Sequence, residues 1–299
     1  MSAFFKFIGV FFLSTFASGL IHAQENQQAL LWKIDGKNLN KASYLFGTIH
    51  LIPKEDYFLP YGLENVFDSV KKVYFEIDLN QMNDLGEMMG LMDKIMMKND
   101  TSLADLLSTE EYAKMEKYFE GIGMPLAMFD RIKPMFLSAL ADTDSNPNAL
   151  KDGSFKSYEF ELSDLAKKKE LETGGLESIE FQLSIFDSIP YKVQANMLLQ
   201  SIASTGNNEH QTKQMYKDYK NQNLNALNEA ISSEDTQFVP YLEMLLYNRN
   251  KSWIPTITTA MHTSPCLFAV GAGHLIGDRG VIQLLRNQGY SVTPVLEKK

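Results

Sequence analysis

The chain has 299 residues with 28 basic and 37 acidic side chains, a formal net charge of −9. Hydrophobic residues make up 44% and charged residues 22%, proportions of a globular protein large enough to bury a core. The negative balance argues against nucleic acid or an anionic membrane face as partner, and the lone cysteine, Cys266, excludes an intramolecular disulfide and a thiolate-rich metal cluster.

Residues 1–23 read as a cleavable signal peptide. Lys6 precedes an apolar stretch that begins at Phe7, and Ile21-His22-Ala23 before Gln24 fits a small-residue cleavage site. The stretch falls short of the roughly 18 apolar residues of a spanning helix, so no stable membrane span is expected after cleavage. The expected location is periplasmic or secreted. Residues 24–299 are expected to form one domain, because no strong linker divides them.

Leu30 to Ile34 reads as a first strand, Asp35-Gly36-Lys37 as a hairpin turn, and Tyr44-Leu45-Phe46 as the returning strand. A loop with Pro53 and Pro60 leads into an amphipathic helix from Leu63 to Lys71, followed by the strand Val73 to Ile77. Strand, loop, helix, strand in that order predicts a crossover and a parallel pair. From Met82 to Phe136 the pattern is helical, with a methionine-rich stripe (Met88, Met89, Met92, Met96) read as core filler. Asp142 to Asn148 is a turn-rich break, and Phe160 to Lys169 a helix whose lysine end suits the negative terminus. Leu171 to Leu176 is a short strand or turn, and Ser178 caps a helix running to Ile189. Polar helices continue through Met261. The wholly apolar Leu267-Phe268-Ala269-Val270 is a strand buried on both faces. A helix capped by Asp278 and stopped by Gly289 follows, then a final strand from Tyr290 to Val295. The fold class is therefore mixed α/β, with a central mixed sheet made by the N- and C-terminal segments around a large helical insertion.

Two segments share the pattern G-x-x-H-L-I: Gly47-Thr48-Ile49-His50-Leu51-Ile52 and Gly271-Ala272-Gly273-His274-Leu275-Ile276. Each follows a short strand. Ligands of α/β sheets gather outside the carboxyl ends of parallel strands, where glycine lets the chain turn sharply. Two such corners on neighbouring strands can aim two imidazoles at one point. A metal held there needs an acidic third ligand, since cysteine is not available. Glu76 is the best candidate, because a charge inside Val73-Tyr74-Phe75-Glu76-Ile77 is costly unless paired or metal-bound. Asp78 points to the same side and can support or substitute. A two-His, one-Glu site leaves positions open for water, which is hydrolase geometry.

These motifs, with Leu31-Trp32-Lys33-Ile34, Arg131-Ile132-Lys133-Pro134, Gly175-Leu176-Glu177 and Arg249-Asn250, resemble the TraB/GumN (PrgY-like) family, to which Tiki-type metalloproteases are related. The resemblance implies ligation of a divalent transition metal (Mn, Co or Zn) by His50 and His274, with an acidic partner at Glu76. It also implies that Arg249 and Glu177 face the same cleft, Arg249 to stabilise developing charge and Glu177 as a general base. The expected function is an exported metal-dependent hydrolase, a peptidase acting on a peptide or protein substrate. The alternative is a non-catalytic extracytoplasmic protein that binds haem or a peptide.

Overall fold

Two stretches far apart in sequence build one half of the sheet that organises the protein. In the computed structural model, which describes residues 29–80, 85–141, 152–204, 209–233 and 239–297, β1 (Leu31–Asp35) runs antiparallel to β2 (Ser43–Thr48). The expected leader, residues 1–23, and the expected break at Asp142 to Asn148 lie outside these residues. β3 (Ile52–Pro53) leaves the main sheet and pairs with β5 (Phe155–Lys156). Helix α1 (Leu63–Ser69) then crosses to β4 (Lys72–Phe75). The six-stranded sheet has β4 second, next to β6 (Glu172–Gly175) at one edge; β7 (Cys266–Gly271), β2 and β1 follow, and β8 (Ser291–Pro294) closes the other edge.

The expected parallel pair of β2 and β4 is corrected in one respect. β7 lies between them, parallel to both, with Thr48 opposite Gly271 and Tyr74 opposite Phe268. The apolar sequence of Leu267 to Val270 makes β7 the strand able to take this place, since all four residues are buried. Four parallel strands, β6, β4, β7 and β2, thus end on the same edge of the sheet. The first turn is also longer than the predicted tight hairpin, since seven residues separate β1 from β2; Gly36, Lys37 and Asn38 all take positive φ there.

Between β4 and β7 lie α2 (Leu85–Ile95), α3 (Leu103–Leu106), α4 (Thr109–Gly121), α5 (Pro134–Ala141), α6 (Tyr158–Lys168), α7 (Ile179–Ile185), α8 (Tyr191–Ser204), α9 (Glu209–Lys220), α10 (Leu224–Ser232) and α11 (Asn248–Thr263). The chain after β7 forms α12 (Val281–Asn287). Ser102 and Ser108 close capping boxes on α3 and α4, and Ser178 caps α7 as expected, its side chain accepting from the Phe181 amide. Helix α7 ends at Ile185 in a 3₁₀ turn instead of continuing to Ile189. The cap residue of α12 is Gly280, not Asp278, and no side chain closes it.

The hydrophobic residues divide between two clusters. The larger packs on the sheet around Trp32, Phe46, Phe75, Trp253 and Phe268. The smaller joins Met97, Leu103, Met115, Phe119, Leu137 and Leu198 within the helical insertion. Met97 is buried there, but Met92 is 53% exposed, so the methionine stripe is not core filler along its whole length. Among the described residues no helix is long and apolar enough to cross a membrane.

Candidate functional site

The carboxyl ends of the parallel strands carry the chemistry. Glu76 follows the last residue of β4, His50 lies two residues beyond β2, and His274 ends the short 3₁₀ turn after β7. Close approach of β2 to that turn depends on Gly47. A Cβ there would stand 2.9 Å from Leu275 Cδ1 and 3.2 Å from the Ala272 Cα. The Gly47 carbonyl accepts a 2.9 Å bond from the buried Tyr219 hydroxyl of α9, which fixes the end of the strand.

Arg249 stands at the centre. It lies in the first turn of α11, after a π-helical turn spanning Glu243–Tyr247, a widened geometry that recurs at functional sites. Its Nη2 donates to Glu76 Oε2 and to Glu177 Oε1, both at 2.6 Å. Nε donates to Glu177 Oε1 at 3.0 Å, and Nη1 to the Leu245 carbonyl at 2.9 Å. Glu177 is only 4% exposed, and its other oxygen takes a 2.9 Å bond from Trp253 Nε1. Gln182, on α7, donates through Nε2 to Glu76 Oε2 and Glu177 Oε1, each at 3.2 Å. Glu76 Oε1 accepts from the Gly271 amide at 2.8 Å.

His274 is buried under Trp253, with ring centroids 4.5 Å apart. Its Nδ1 lies 2.6 Å from Asn250 Oδ1, and its Nε2 lies 3.1 Å from Arg249 Nη1. A guanidinium can only donate, so Nε2 is the acceptor and the proton sits on Nδ1, given to Asn250. The Asn250 amide is itself oriented by a 3.0 Å bond from Nδ2 to the Arg279 carbonyl.

Electrostatics separate the two buried groups. Burial alone would raise the Glu76 pKa, but the charges of His274, Arg249 and His50 and the Gly271 amide overcome it, and the value falls to about 2. His274 is pushed down to about 3, first by desolvation and then by Arg249 and His50, against the pull of Glu76. At neutral pH the site therefore holds an ionised carboxylate beside a neutral imidazole.

His50 is placed differently. Its side chain is 77% exposed, and Nδ1 lies 3.2 Å from Glu159 Oε1 at the start of α6. That bond raises its pKa to about 9, with partial desolvation by the cleft walls opposing and the charges of Glu159 and Glu76 adding to it. His50 thus shares the electric field of Glu76 and Arg249 but turns one nitrogen to the neighbouring wall.

Of the expected site residues, the structure joins Glu76, Glu177, Arg249 and His274 in one hydrogen-bonded cluster and leaves His50 outside it, bonded to Glu159. The donor set matches a divalent metal in part. Glu76 Oε1 and His274 Nε2 are 3.6 Å apart, close to the ~3.4 Å that separates two ligands of one tetrahedral ion. Nε2 carries no proton, which suits ligation as well. Among the described residues, however, no three ligand-type side chains converge, and Arg249 Nη1 faces the lone pair that an ion would use.

Sequence reasoning assigned no role to Asn250, Gln182, Trp253 or Glu159. Asn250 is adjacent to Arg249, and Gln182 lies five residues beyond Glu177, but a lone amide carries no chemical signature in sequence. Glu159 sits in the first turn after the cap Ser157, where an acidic residue looks like ordinary helix-end chemistry.

A mixed α/β sheet whose parallel strands end in two glycine-histidine corners around a buried carboxylate–arginine cluster defines a distinct class of protein. The chain belongs to the TraB/PrgY/gumN family, whose model matches residues 30–294. It is 23% identical to metalloprotease TIKI1 of Danio rerio over 90% of this chain and 63% of that protein. It is likewise 24% identical to metalloprotease TIKI1 of Homo sapiens (90% and 62%) and 23% identical to metalloprotease TIKI2 of Xenopus tropicalis (92% and 61%). The chain therefore spans somewhat over three fifths of the length of these curated relatives. No solved structure gives a significant match.

Proposed function

We propose that this protein is an exported metal-dependent hydrolase, a peptidase acting on a peptide or protein outside the cytoplasm. The observation that carries the reading is the buried Glu76–His274 pair, with the imidazole held as its Nδ1–H tautomer and its unprotonated Nε2 3.6 Å from the carboxylate. The names of the distant relatives point to the same chemistry, and the signal-like residues 1–23 support export.

In this reading His50, Glu76 and His274 hold a divalent transition metal (Mn, Co or Zn). Such an ion, when bound, supplies Lewis acidity that brings the pKa of a coordinated water down to about 7. Asn250 keeps the His274 proton on Nδ1. Arg249, fixed by Glu177, presents a planar cation suited to a developing oxyanion or a substrate carboxylate. Glu177 serves as the orienting partner of Arg249 instead of the general base, because donors from Arg249, Gln182 and Trp253 engage both of its oxygens. Trp253 closes the floor and excludes water beneath His274.

The test is elemental analysis of protein purified without a chelating tag, followed by assay against a peptide library. Stoichiometric metal, lost in His50→Ala and His274→Ala, with metal-dependent cleavage, is the expected result. Metal-free protein that binds no added Mn, Co or Zn and cleaves nothing overturns the reading, and a Soret band on haem titration would identify a binder instead.

A further inference from the structure

We propose that Glu159 is the positioning residue of His50, holding the ring by Nδ1 so that Nε2 faces the cleft. The inference rests on the reading of His50 as a ligand given above and extends it to a residue of α6. It starts from a parallel between the two imidazoles. His274 gives Nδ1 to Asn250 at 2.6 Å, and His50 sets Nδ1 3.2 Å from Glu159 Oε1. In each case the acceptor takes the nitrogen nearer the backbone; Nε2 of His274 meets Arg249 Nη1 at 3.1 Å. This is how ligating histidines are commonly oriented: an acceptor on one nitrogen fixes the ring and makes the other a better donor of its lone pair.

Glu159 is built to hold still. Its Oε1 also accepts from the Thr48 hydroxyl at 3.0 Å, two residues before His50, and its Oε2 from the Ser157 hydroxyl at 3.0 Å, two residues before itself. The carboxylate is 21% exposed, while the imidazole it holds is 77% exposed. An open histidine on a loop loses rotamer freedom when fixed, and an isolated exposed ion pair rarely compensates for that loss. Here the partner is sheltered, bonded to two hydroxyls and placed in the first turn of a helix, where negative charge is favoured. The tie also joins the end of β2 to the start of α6, 109 positions apart in sequence.

A double-mutant cycle on the full chain tests this, with Zn2+ affinity measured by competition against a chromophoric chelator. Glu159→Ala is expected to weaken zinc binding about 10–100-fold. Glu159→Gln, which retains an acceptor for Nδ1–H, should recover part of that loss. The double variant Glu159→Ala/His50→Ala should bind no more weakly than His50→Ala alone, because Glu159 acts only through that ring. Additive losses, or unchanged affinity in Glu159→Ala, would overturn the proposal. A second measurement does not depend on metal: ring order of the two histidines from 13C relaxation in metal-free protein. His50 should lose order in Glu159→Ala while His274 keeps its own, and an equally ordered His50 overturns the proposal. A parent protein without zinc affinity would instead defeat the functional reading, leaving the ring measurement to decide the role of Glu159.

Discussion

Arg249 Nη1 and His274 Nε2 are 3.1 Å apart, and this one contact assigns the proton of the buried histidine. The guanidinium has no lone pair to offer, so the imidazole must supply one. A permanent cation therefore lies where a divalent ion would compete for the same electrons. Arg249 also bonds Glu76 and Glu177 at once, a single positive charge between two buried carboxylates, which makes it the electrostatic keystone of the cluster.

Removing that cation leaves two carboxylates buried against Gln182, Trp253 and a backbone amide. Arg249→Met is expected to destabilise the metal-free protein by about 3–5 kcal/mol, the usual effect of orphaning a buried charge. Arg249→Lys should recover little, because a compact ammonium cannot bond Glu76, Glu177 and the Leu245 carbonyl from one position. Urea unfolding of the three proteins checks both statements, and a Lys variant as stable as the parent would contradict the second.

Asn250 holds the other end of the histidine. Asn250→Leu deprives the buried Nδ1–H of its acceptor, while Arg249 still requires the lone pair of Nε2. The expected loss is about 1–3 kcal/mol of stability, the penalty for one buried unsatisfied donor. An accompanying drop in affinity for added zinc would follow if His274 ligates through Nε2. Calorimetric unfolding and a zinc titration on the same sample separate the two effects.

The corner glycines permit close approach. At Gly175 a Cβ would fall 2.7 Å from the Asp78 amide nitrogen and 2.8 Å from the Glu177 carbonyl oxygen, both rigid backbone. At Gly47 the nearest atom, at 2.9 Å, is a Leu275 methyl, which can swing aside. Gly175→Ala should therefore destabilise more than Gly47→Ala, for which about 1–3 kcal/mol of overpacking is expected. Thermal midpoints of the two variants in one buffer decide the order.

The part of this architecture that could be read from sequence is the part that repeats. The paired G-x-x-H corners, the apolar β7 and the carboxylate after β4 each carry a local pattern, and together they located the sheet edge, Glu76 and His274, whereas Glu177 and Arg249 came from the family resemblance. Strand order was not legible to the same degree, because nothing local in Val73 to Phe75 says that β7 will lie between it and β2. The edge strand Glu172–Gly175 has two glycines and no apolar run; its place is set by parallel pairing with β4. The roles of Gln182, Asn250 and Glu159 were not legible for a related reason. Their roles come from partners distant in sequence, such as the 109 positions between Glu159 and His50, and such contacts leave no periodicity.

Acidity should act on the metal-free protein from two directions. His274 has a folded value near 3 against an ordinary 6.5, so the unfolded chain takes up a proton that the folded one refuses. Its contribution is intact above pH 6.5 and declines as the pH falls toward 3. Glu76, lowered from 4.5 to about 2, behaves alike in its own window: its contribution is full above 4.5 and is lost as the pH drops through 2. His50 has the opposite sign. With its value raised from 6.5 to about 9, its contribution is complete below 6.5 and vanishes as the pH rises through 9. These three groups together place the greatest stability near pH 6.5, with a steep acid limb from buried groups and a shallow alkaline one, since solvent screens the exposed His50. Urea midpoints measured from pH 4 to 9 in the presence of a chelator give the profile. His50→Gln should flatten the alkaline limb and move the acid one only slightly, through the lost charge beside Glu76 and His274, whereas a variant that shifts both limbs equally would show that the three groups do not titrate as their surroundings dictate.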